Sequence, residues 1–392
     1  MKKPHVVIVG GGPAGLMAAT QLIGLPVDIT VVDHKSAVGR KFLVAGDGGF
    51  NLTHSESVEV FVEKYDQPLV KEWVRRFNAT DFREWLTKIG IETVIGSSGK
   101  VFPLPTTKPI QVLNAWLKQL KKHPINWKLK TKLIDFTKTE VVLQQGDLQE
   151  TLTYDYLVLA LGGASWKKTG SDGSWFNLLK AKGIDVVPFQ SGNSGLEINL
   201  PDFLKQYEGS IVKNIQLSVD DLIVSGDLVI TTYGIEGKPV YAVNRALRNS
   251  NFKGLKIDFK PQFSLEKIEG MLTKHTTIRK AFDTLKIPPV AYNWLKETLT
   301  KEQFTEPNQL VNAIKSFEQA ISGLRPLDEV ISTVGGIAVN ELDENGCLKE
   351  FGNVYCCGEM IDWDAPTGGY LIQASVASGF VVGKTIGDKL AM

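Results

Sequence analysis

The sequence predicts an α/β fold: a parallel sheet flanked by helices, begun at the N-terminus, interrupted, and completed at the C-terminus. Three observations predict it. An apolar run, Val6 to Val9, leads into Gly10-Gly11-Gly12-Pro13-Ala14-Gly15 and then an uncharged helical stretch, Leu16 to Ile23. Continuous apolar runs of the kind buried in parallel sheets return at Tyr156 to Leu161, Val330 to Val339 and Val354 to Cys357. Between them, from Leu196 to about Phe259, short alternating segments have the period of half-buried strands.

The opening elements are the parts of a Rossmann-like mononucleotide-binding unit. Gly10 permits the tight turn after the strand. Gly12 has no side chain to keep a phosphate from the backbone, and Gly15 lets the helix lie close to the sheet. The helix N-terminus offers free N–H groups and about half a positive charge to a pyrophosphate. A second run alternates at Val27, Ile29 and Val31 and ends on Asp33, about 20 residues beyond the glycines, where an acid accepts hydrogen bonds from ribose hydroxyls. The uncharged stretch after Lys2-Lys3 is broken by Gly10 to Pro13 and runs into a patterned strand. Export is therefore not expected, and a cytoplasmic location is.

A polar, glycine-rich loop follows, with Gly39-Arg40-Lys41 and then Ala45 to His54. Helical spacing resumes at Leu69, Trp73, Val74 and Phe77 and recurs at Phe82, Trp85, Leu86 and Ile89, with Gly90 as its stop. Pro109 opens an amphipathic helix carrying Ile110, Leu113, Trp116, Leu117 and Leu120. Ile125, Trp127 and Leu129 alternate as a strand. Leu133-Ile134 follow, and Val141 to Tyr156 read as an antiparallel meander turning at Gly146-Asp147. In the middle, Ile211 to Val219, Leu222 to Val224, Leu228 to Ile230 and Leu255 to Phe259 read as separate strands. Helical spacing covers Leu265 to Leu299, broken at Pro288-Pro289, and Leu310 to Leu324. A helix from about Gly369 to Ile386 closes the chain, its small residues Ala374, Ala377 and Ser378 suited to close packing. The expected domains are 1–188 with 328–392 for the nucleotide, a β-barrel insert at 189–263, and a helical subdomain at 264–327.

Composition excludes several classes. The 392 residues are 43% hydrophobic and 22% charged, with 44 Lys+Arg against 43 Asp+Glu, a net charge of +1. That length suits two or three domains. No basic excess points to nucleic acid, and Lys121-Lys122 and Lys167-Lys168 are too short to track phosphates. No run of 18 apolar residues suggests a membrane span. Cys347, Cys356 and Cys357 form no C-x-x-C, and adjacent cysteines rarely pair. They read as small buried hydrophobes in a reducing compartment, and no metal site is expected.

Three separated segments have the features of one FAD site. The N-terminal unit suits the ADP half. Ala160-Leu161-Gly162-Gly163 is similar to the strand-end motif of two-domain flavoproteins that passes close to the cofactor. Asn353 to Glu359, followed by Thr367 to Ala374, is similar to their late strand-acid-helix motif, in which an acid meets the ribityl chain and a helix N-terminus faces the isoalloxazine. Reduced flavin carries negative charge near N1 and O2, so a helix N-terminus there stabilises it.

With these segments in view, the chain resembles the BaiN/aminoacetone oxidase-like family of FAD-dependent oxidoreductases. The matching residues are Gly10 to Gly15, Gly39 to Lys41 with the following loop, and Val101-Phe102-Pro103. Further matches are Leu159 to Thr169, Thr232 to Gly237, Thr333 to Ile337 and Gly358 to Ala377. The resemblance spans nearly the whole chain. It implies a glutathione-reductase-like FAD domain split by a β-barrel insert and a small helical part. Where much of the family reads Gly-Gly-Arg-Cys-Asn, this chain has Gly48-Gly49-Phe50-Asn51, so no role resting on that Arg or Cys carries over. The chain looks like a branch with Gly-Gly-x-Asn-x-Thr-His.

By resemblance, Gly10, Gly12, Ala14, Gly15 and Asp33 hold the ADP part, Arg40 and Lys41 lie near the pyrophosphate or ribityl, and Leu133 offers backbone atoms to adenine. Ala160, Gly162, Gly358, Glu359, Gly369, Tyr370, Gln373 and Ala374 frame the rest. Two residues are candidates for catalysis. His54 is either a proton donor beside the flavin or a capping histidine, and Tyr233 either reaches the flavin or packs at a turn. Only one glycine fingerprint is present, so NADH or NADPH is expected as a transient reductant, or dioxygen as the acceptor. A small-molecule oxidoreductase is the leading expectation. A flavin monooxygenase, an RNA-modifying flavoenzyme and a non-enzymatic redox sensor are the alternatives, the RNA version opposed by the near-zero charge.

Overall fold

The computed structural model describes residues 3–44, 50–199 and 201–392. It divides into two compact units, residues 1–190 with 331–392, and residues 191–330. The α/β expectation holds. The first unit is built on a five-stranded sheet in the order Val354–Cys356, Tyr156–Leu159, His5–Val9, Asp28–Asp33, Ile125–Leu129. Every neighbouring pair is parallel. His5–Val9 sits at the centre because Val6, Val7 and Ile8 are apolar towards both faces and fully buried.

Chain order runs outward from this central strand in both directions. The sheet therefore has a switch point between His5–Val9 and Tyr156–Leu159, where connections diverge and open α/β sheets bind ligands. Gly10 and Ala160 are the residues that leave those two strands. Over the sheet, the first helix, Pro13–Gln21, crosses the closing helix, Tyr370–Ala391. A Cβ on Gly379 would lie 2.1 Å from the Ala14 carbonyl oxygen, and one on Gly383 2.5 Å from that of Ala18. These glycines set the approach of the two helices and thus join the two ends of the chain.

Smaller elements complete the unit. The meander Lys132–Phe136, Glu140–Gln145, Leu148–Thr153 forms as expected. Asn78 and Asp81 make a capping box on the helix Ala79–Lys88. The chain leaves this unit along Val186–Ser191 and returns along Thr333–Ile337, and these two strands pair. The expected run Val330 to Val339 is strand only at its centre, Thr333–Ile337, which keeps its pairing although Gly335 and Gly336 take positive φ of 93° and 129° within it. No helix among the described residues is long and apolar enough to cross a membrane.

The second unit holds a seven-stranded sheet and a set of helices around one hydrophobic cluster. Its outer strands, Phe317–Glu318 and Gly323–Leu324, are separated by four residues. Five Cα steps reach at most about 18 Å, whereas seven flat strands would place the edges roughly 29 Å apart. The sheet therefore curls strongly, although no pairing between the edges occurs among the described residues.

Three local readings differ from the structure. Leu222–Ile230 is one strand, not two. Gly226 looks like a turn in the sequence but sits mid-strand, where its Cβ position lies 3.0 Å from the Pro239 ring. The all-β stretch also contains a helix, Lys238–Asn249, opened by Pro239 and burying Val240, Val243 and Leu247. Finally, the helix begun at Pro307 stops at Lys315, because Phe317 leaves it to pair with Ile257.

Candidate functional site

A cleft of about 380 Å³ opens at the switch point. Of the sequence-predicted residues, Gly10, Gly12, Ala14, Asp33, Arg40, Lys41, Leu133, Ala160, Gly162, Gly358 and Glu359 line it. The three fingerprint glycines do different work. A Cβ on Gly10 would lie 2.1 Å from the Ala160 carbonyl oxygen, and one on Gly15 2.0 Å from that of Gly10. Those two glycines pack protein against protein. A Cβ on Gly12 would meet no protein atom within 4 Å and would stand in the open space of the cleft.

Asp33 ends its strand with the carboxylate already oriented. Oδ2 accepts from the Gly11 amide at 2.9 Å and Oδ1 from the Lys35 amide at 2.8 Å. Gly11, which the sequence reading left without a role, is small for the same reason: its Cβ would lie 2.3 Å from Val38. Asp33→Ala is expected to weaken FAD retention by about 1.5–3 kcal/mol, the worth of hydrogen bonds to a charged group. Flavin titration of the apoprotein measures it, and unchanged affinity would remove Asp33 from the ribose role.

Two more polar atoms of the cleft wall wait for partners. His34 Nε2 and Ser171 Oγ are buried without a hydrogen bond. Such atoms cost about 1–3 kcal/mol when left unsatisfied, and a polar ligand in the cleft satisfies them. Together with the open side of Gly12 and the N-terminus of the first helix, they fit the ADP part of a dinucleotide. His34 carries a sequence signal, since it follows the strand-end acid directly. Ser171 carries none.

Towards its other end the cleft continues into an apolar chamber of about 150 Å³. Pro13, Lys41, Glu359 and Ser375 line both spaces; Phe42, Val44, Trp166, Ile331, Leu371 and Ile372 line the chamber alone. On the shared wall, Lys41 Nζ donates to Glu359 Oε2 at 2.7 Å and to Ser165 Oγ at 2.9 Å. Glu359 is held by its neighbour. Gly358 lies at φ +83°, its N–H donates to Ser378 Oγ at 2.9 Å, and its Cβ position is 2.9 Å from Ala14 Cβ. Arg40 is exposed on the cleft rim, with no ion pair to another described residue.

The closing helix presents a different face from the one expected. Leu371, Ile372 and Ser375 line the chamber, one turn apart. The Tyr370 hydroxyl instead donates to Glu56 Oε1 at 2.7 Å, and Gln373 Nε2 to the Phe77 carbonyl at 2.7 Å. Ala374 is buried in the core. Gly369 caps the helix at φ +100° with its Cβ position 2.6 Å from the Thr53 backbone. These residues place the helix N-terminus; their side chains line neither space.

His54 lines neither space either. Its Nε2 donates to the Ser98 carbonyl at 2.9 Å, Nδ1 accepts from the Glu56 amide at 3.3 Å, and its ring stacks on Tyr370. Both nitrogens are engaged, as in a histidine that ties a loop. Residues 45–49 of the expected flavin loop lie outside the described residues. Tyr233 belongs to the second unit, where its hydroxyl donates to Glu236 and the Arg325 guanidinium lies 4.1 Å from its ring centre. Burial pushes its hydroxyl pKa above the ordinary value.

Two further groups of titrating residues sit near the site. Cys356 and Cys357 are buried and unpaired, and burial raises the Cys357 thiol to about 12, so neither supplies a thiolate nucleophile. No group of His, Cys, Asp or Glu among the described residues is arranged to hold a metal ion. Asp362 Oδ1 accepts from the Gly335 amide at 2.9 Å, yet burial raises its carboxyl, with the charges of Asp66 and Asp364 adding to the rise. A raised folded-state value contributes stability below the unfolded carboxyl range and loses it as pH climbs through the folded value. Asp362→Asn is therefore expected to raise Tm at neutral pH, with the gap to wild type closing in acid. A gap independent of pH in thermal melts would refute this.

The fold and cleft define a class, a protein with a Rossmann-type parallel sheet whose switch-point cleft shares wall residues with an apolar chamber. The family model for the HI0933-like protein Rossmann domain matches residues 4–385, and the chain belongs to that family. It is an FAD-dependent oxidoreductase, as the resemblance implied. It is 21% identical to the 3-dehydro-bile acid Δ(4,6)-reductase of Clostridium scindens, over 98% of this chain and 99% of the relative. It is also 20% identical to the ribosomal RNA dihydrouridine synthase of Escherichia coli, over 97% of each. Among solved structures, the 3-ketosteroid-Δ4-(5α)-dehydrogenase from Rhodococcus jostii RHA1 in complex with 4-androstene-3,17-dione matches with a TM-score of 0.55. That match is at 13% identity and covers 100% of this chain and 98% of the other, a likeness of fold.

Proposed function

We propose that this enzyme saturates a carbon–carbon double bond conjugated to a carbonyl in a small, largely apolar substrate, with NADH or NADPH as transient reductant. The observation that carries the reading is the apolar chamber that shares Lys41, Glu359 and Ser375 with the dinucleotide cleft. Bound FAD supplies hydride transfer at N5. Saturation adds one hydride and one proton across the double bond, and the electron pair comes from the nicotinamide, which leaves oxidised. The proton must come from the protein side. Lys41 holds one at Nζ, fixed between Ser165 Oγ and Glu359 Oε2 on the shared wall. Leu371, Ile372 and Phe42 give the chamber an apolar wall that orients an apolar ring. The positive end of the 22-residue closing helix favours negative charge at the chamber's edge.

The names of both curated relatives support this chemistry, one a Δ(4,6)-reductase and the other a synthase whose product is uridine with its base double bond saturated. The second relative also supports an RNA substrate. A net charge of +1 and a chamber walled by Phe42, Val44, Leu371 and Ile372 favour the small molecule. A cytoplasmic location, suggested by the unpaired thiols, belongs to the same proposal.

The test is anaerobic. The holoenzyme is reduced with NADPH or NADH, and its flavin band is followed after adding a conjugated enone steroid, a dehydro-bile acid or ribosomal RNA. Return of the oxidised band with an enone supports the proposal. Return with RNA alone would establish the nucleic-acid reading, and return with dioxygen alone would end both.

A further inference from the structure

Trp166 is the one exposed tryptophan of the eight, with 37% of its surface open. Its backbone is left-handed, φ 66° and ψ 53°, a conformation that a bulky side chain adopts only where the surroundings force it. Ser165 before it is fully buried and tied to Lys41, and the Trp166 carbonyl accepts from both the amide and the hydroxyl of Thr169, each at 2.8 Å. The chain thus points Ser165 inward and turns the next side chain out over the chamber. There the indole makes no hydrogen bond or ring contact with another described residue. Ile331, another residue of the chamber wall, is also exposed, at 38%. A strained backbone, an unpartnered aromatic face and an apolar chamber at one place are the arrangement of a binding wall.

We propose that Trp166 is the wall against which a flat, conjugated ring of the substrate stacks, so that it sets which substrates the chamber accepts. This rests on the proposed function above, and it assigns Trp166 to binding, not to proton or hydride transfer.

Trp166→Gly separates binding from folding. Glycine is at home at φ 66°, so the variant is expected to melt at or above the wild-type Tm and to keep its flavin. Titration of the oxidised holoenzyme with 4-androstene-3,17-dione, read from the flavin band, should show Kd raised about tenfold or more, from loss of the aromatic contact and its buried area. Trp166→Phe should stay within about threefold. Wild-type affinity in the glycine variant would overturn the proposal, and so would a lower Tm with lost flavin, which marks a packing role. If the wild type does not bind the steroid, the substrate class fails and Trp166 is judged with anilinonaphthalene sulfonate, an apolar aromatic dye. Dye binding lost in Trp166→Gly supports the wall; equal binding by both proteins overturns it.

Discussion

Gly12→Ala is expected to fold and to lose FAD, whereas Gly10→Ala is expected not to reach the native state. The difference lies in what each missing Cβ would touch. At Gly10 it would overlap the Ala160 carbonyl at 2.1 Å on a backbone held at φ +112°. Relief would require parting the two central strands, at a cost of about 4 kcal/mol or more, the range of severe single substitutions. At Gly12 φ is −80° and no protein atom lies near, so alanine costs the apoprotein only the small change of an N-cap residue. Its methyl group occupies the space that a phosphate needs. An affinity loss of about 100-fold, roughly 2.8 kcal/mol, is expected. Melting of the apoproteins and flavin titration read the two effects separately. If Gly12→Ala destabilised the apoprotein as much as Gly10→Ala, the ligand-facing assignment of Gly12 would be lost.

Lys41→Met should lower the turnover of a conjugated enone by about 10²–10⁴-fold, the range for removing a positioned proton donor. The single variant also leaves the Glu359 carboxylate, with only 14% of its side chain exposed, without its cation. A fall in Tm is therefore expected as well. Lys41→Met with Glu359→Gln removes both charges and should recover the Tm without recovering turnover. Turnover that returned with stability would show that Lys41 acts only through the ion pair.

The parts of the cleft contributed by consecutive residues are legible in the sequence. Val6 to Val9 had to be a central strand because every side chain is apolar, and Gly10 to Gly15 had to be a turn into a helix. Asp33 had to lie at the strand end that faces them. The family resemblance added the late segment around Gly358 and Glu359. Helix register was harder to read. The closing helix offers apolar and small residues on every side, so no periodicity separates the face that lines the chamber from the one that meets the core. The resemblance thus names Tyr370 and Gln373, whose side chains hold Glu56 and Phe77, and not Leu371, Ile372 and Ser375, which line the chamber. The expected break between Val224 and Leu228, where Gly226 lies, fails for a related reason. A glycine beside an aspartate signals a turn locally, and only the helix packed against it explains its place in mid-strand.

The sequence by itself determined the α/β class, the glycine turn and the acid that faces it, since the turn and the acid lie in one continuous strand–turn–helix–strand segment, His5 to Asp33. Tertiary structure decided the rest. Lys41 and Glu359 are 318 positions apart and meet because Val354–Cys356, the strand before Glu359, completes the parallel sheet begun by His5–Val9. The strained turn at Trp166 and the chamber it overlooks come from the same long-range packing, which no local pattern in the chain encodes.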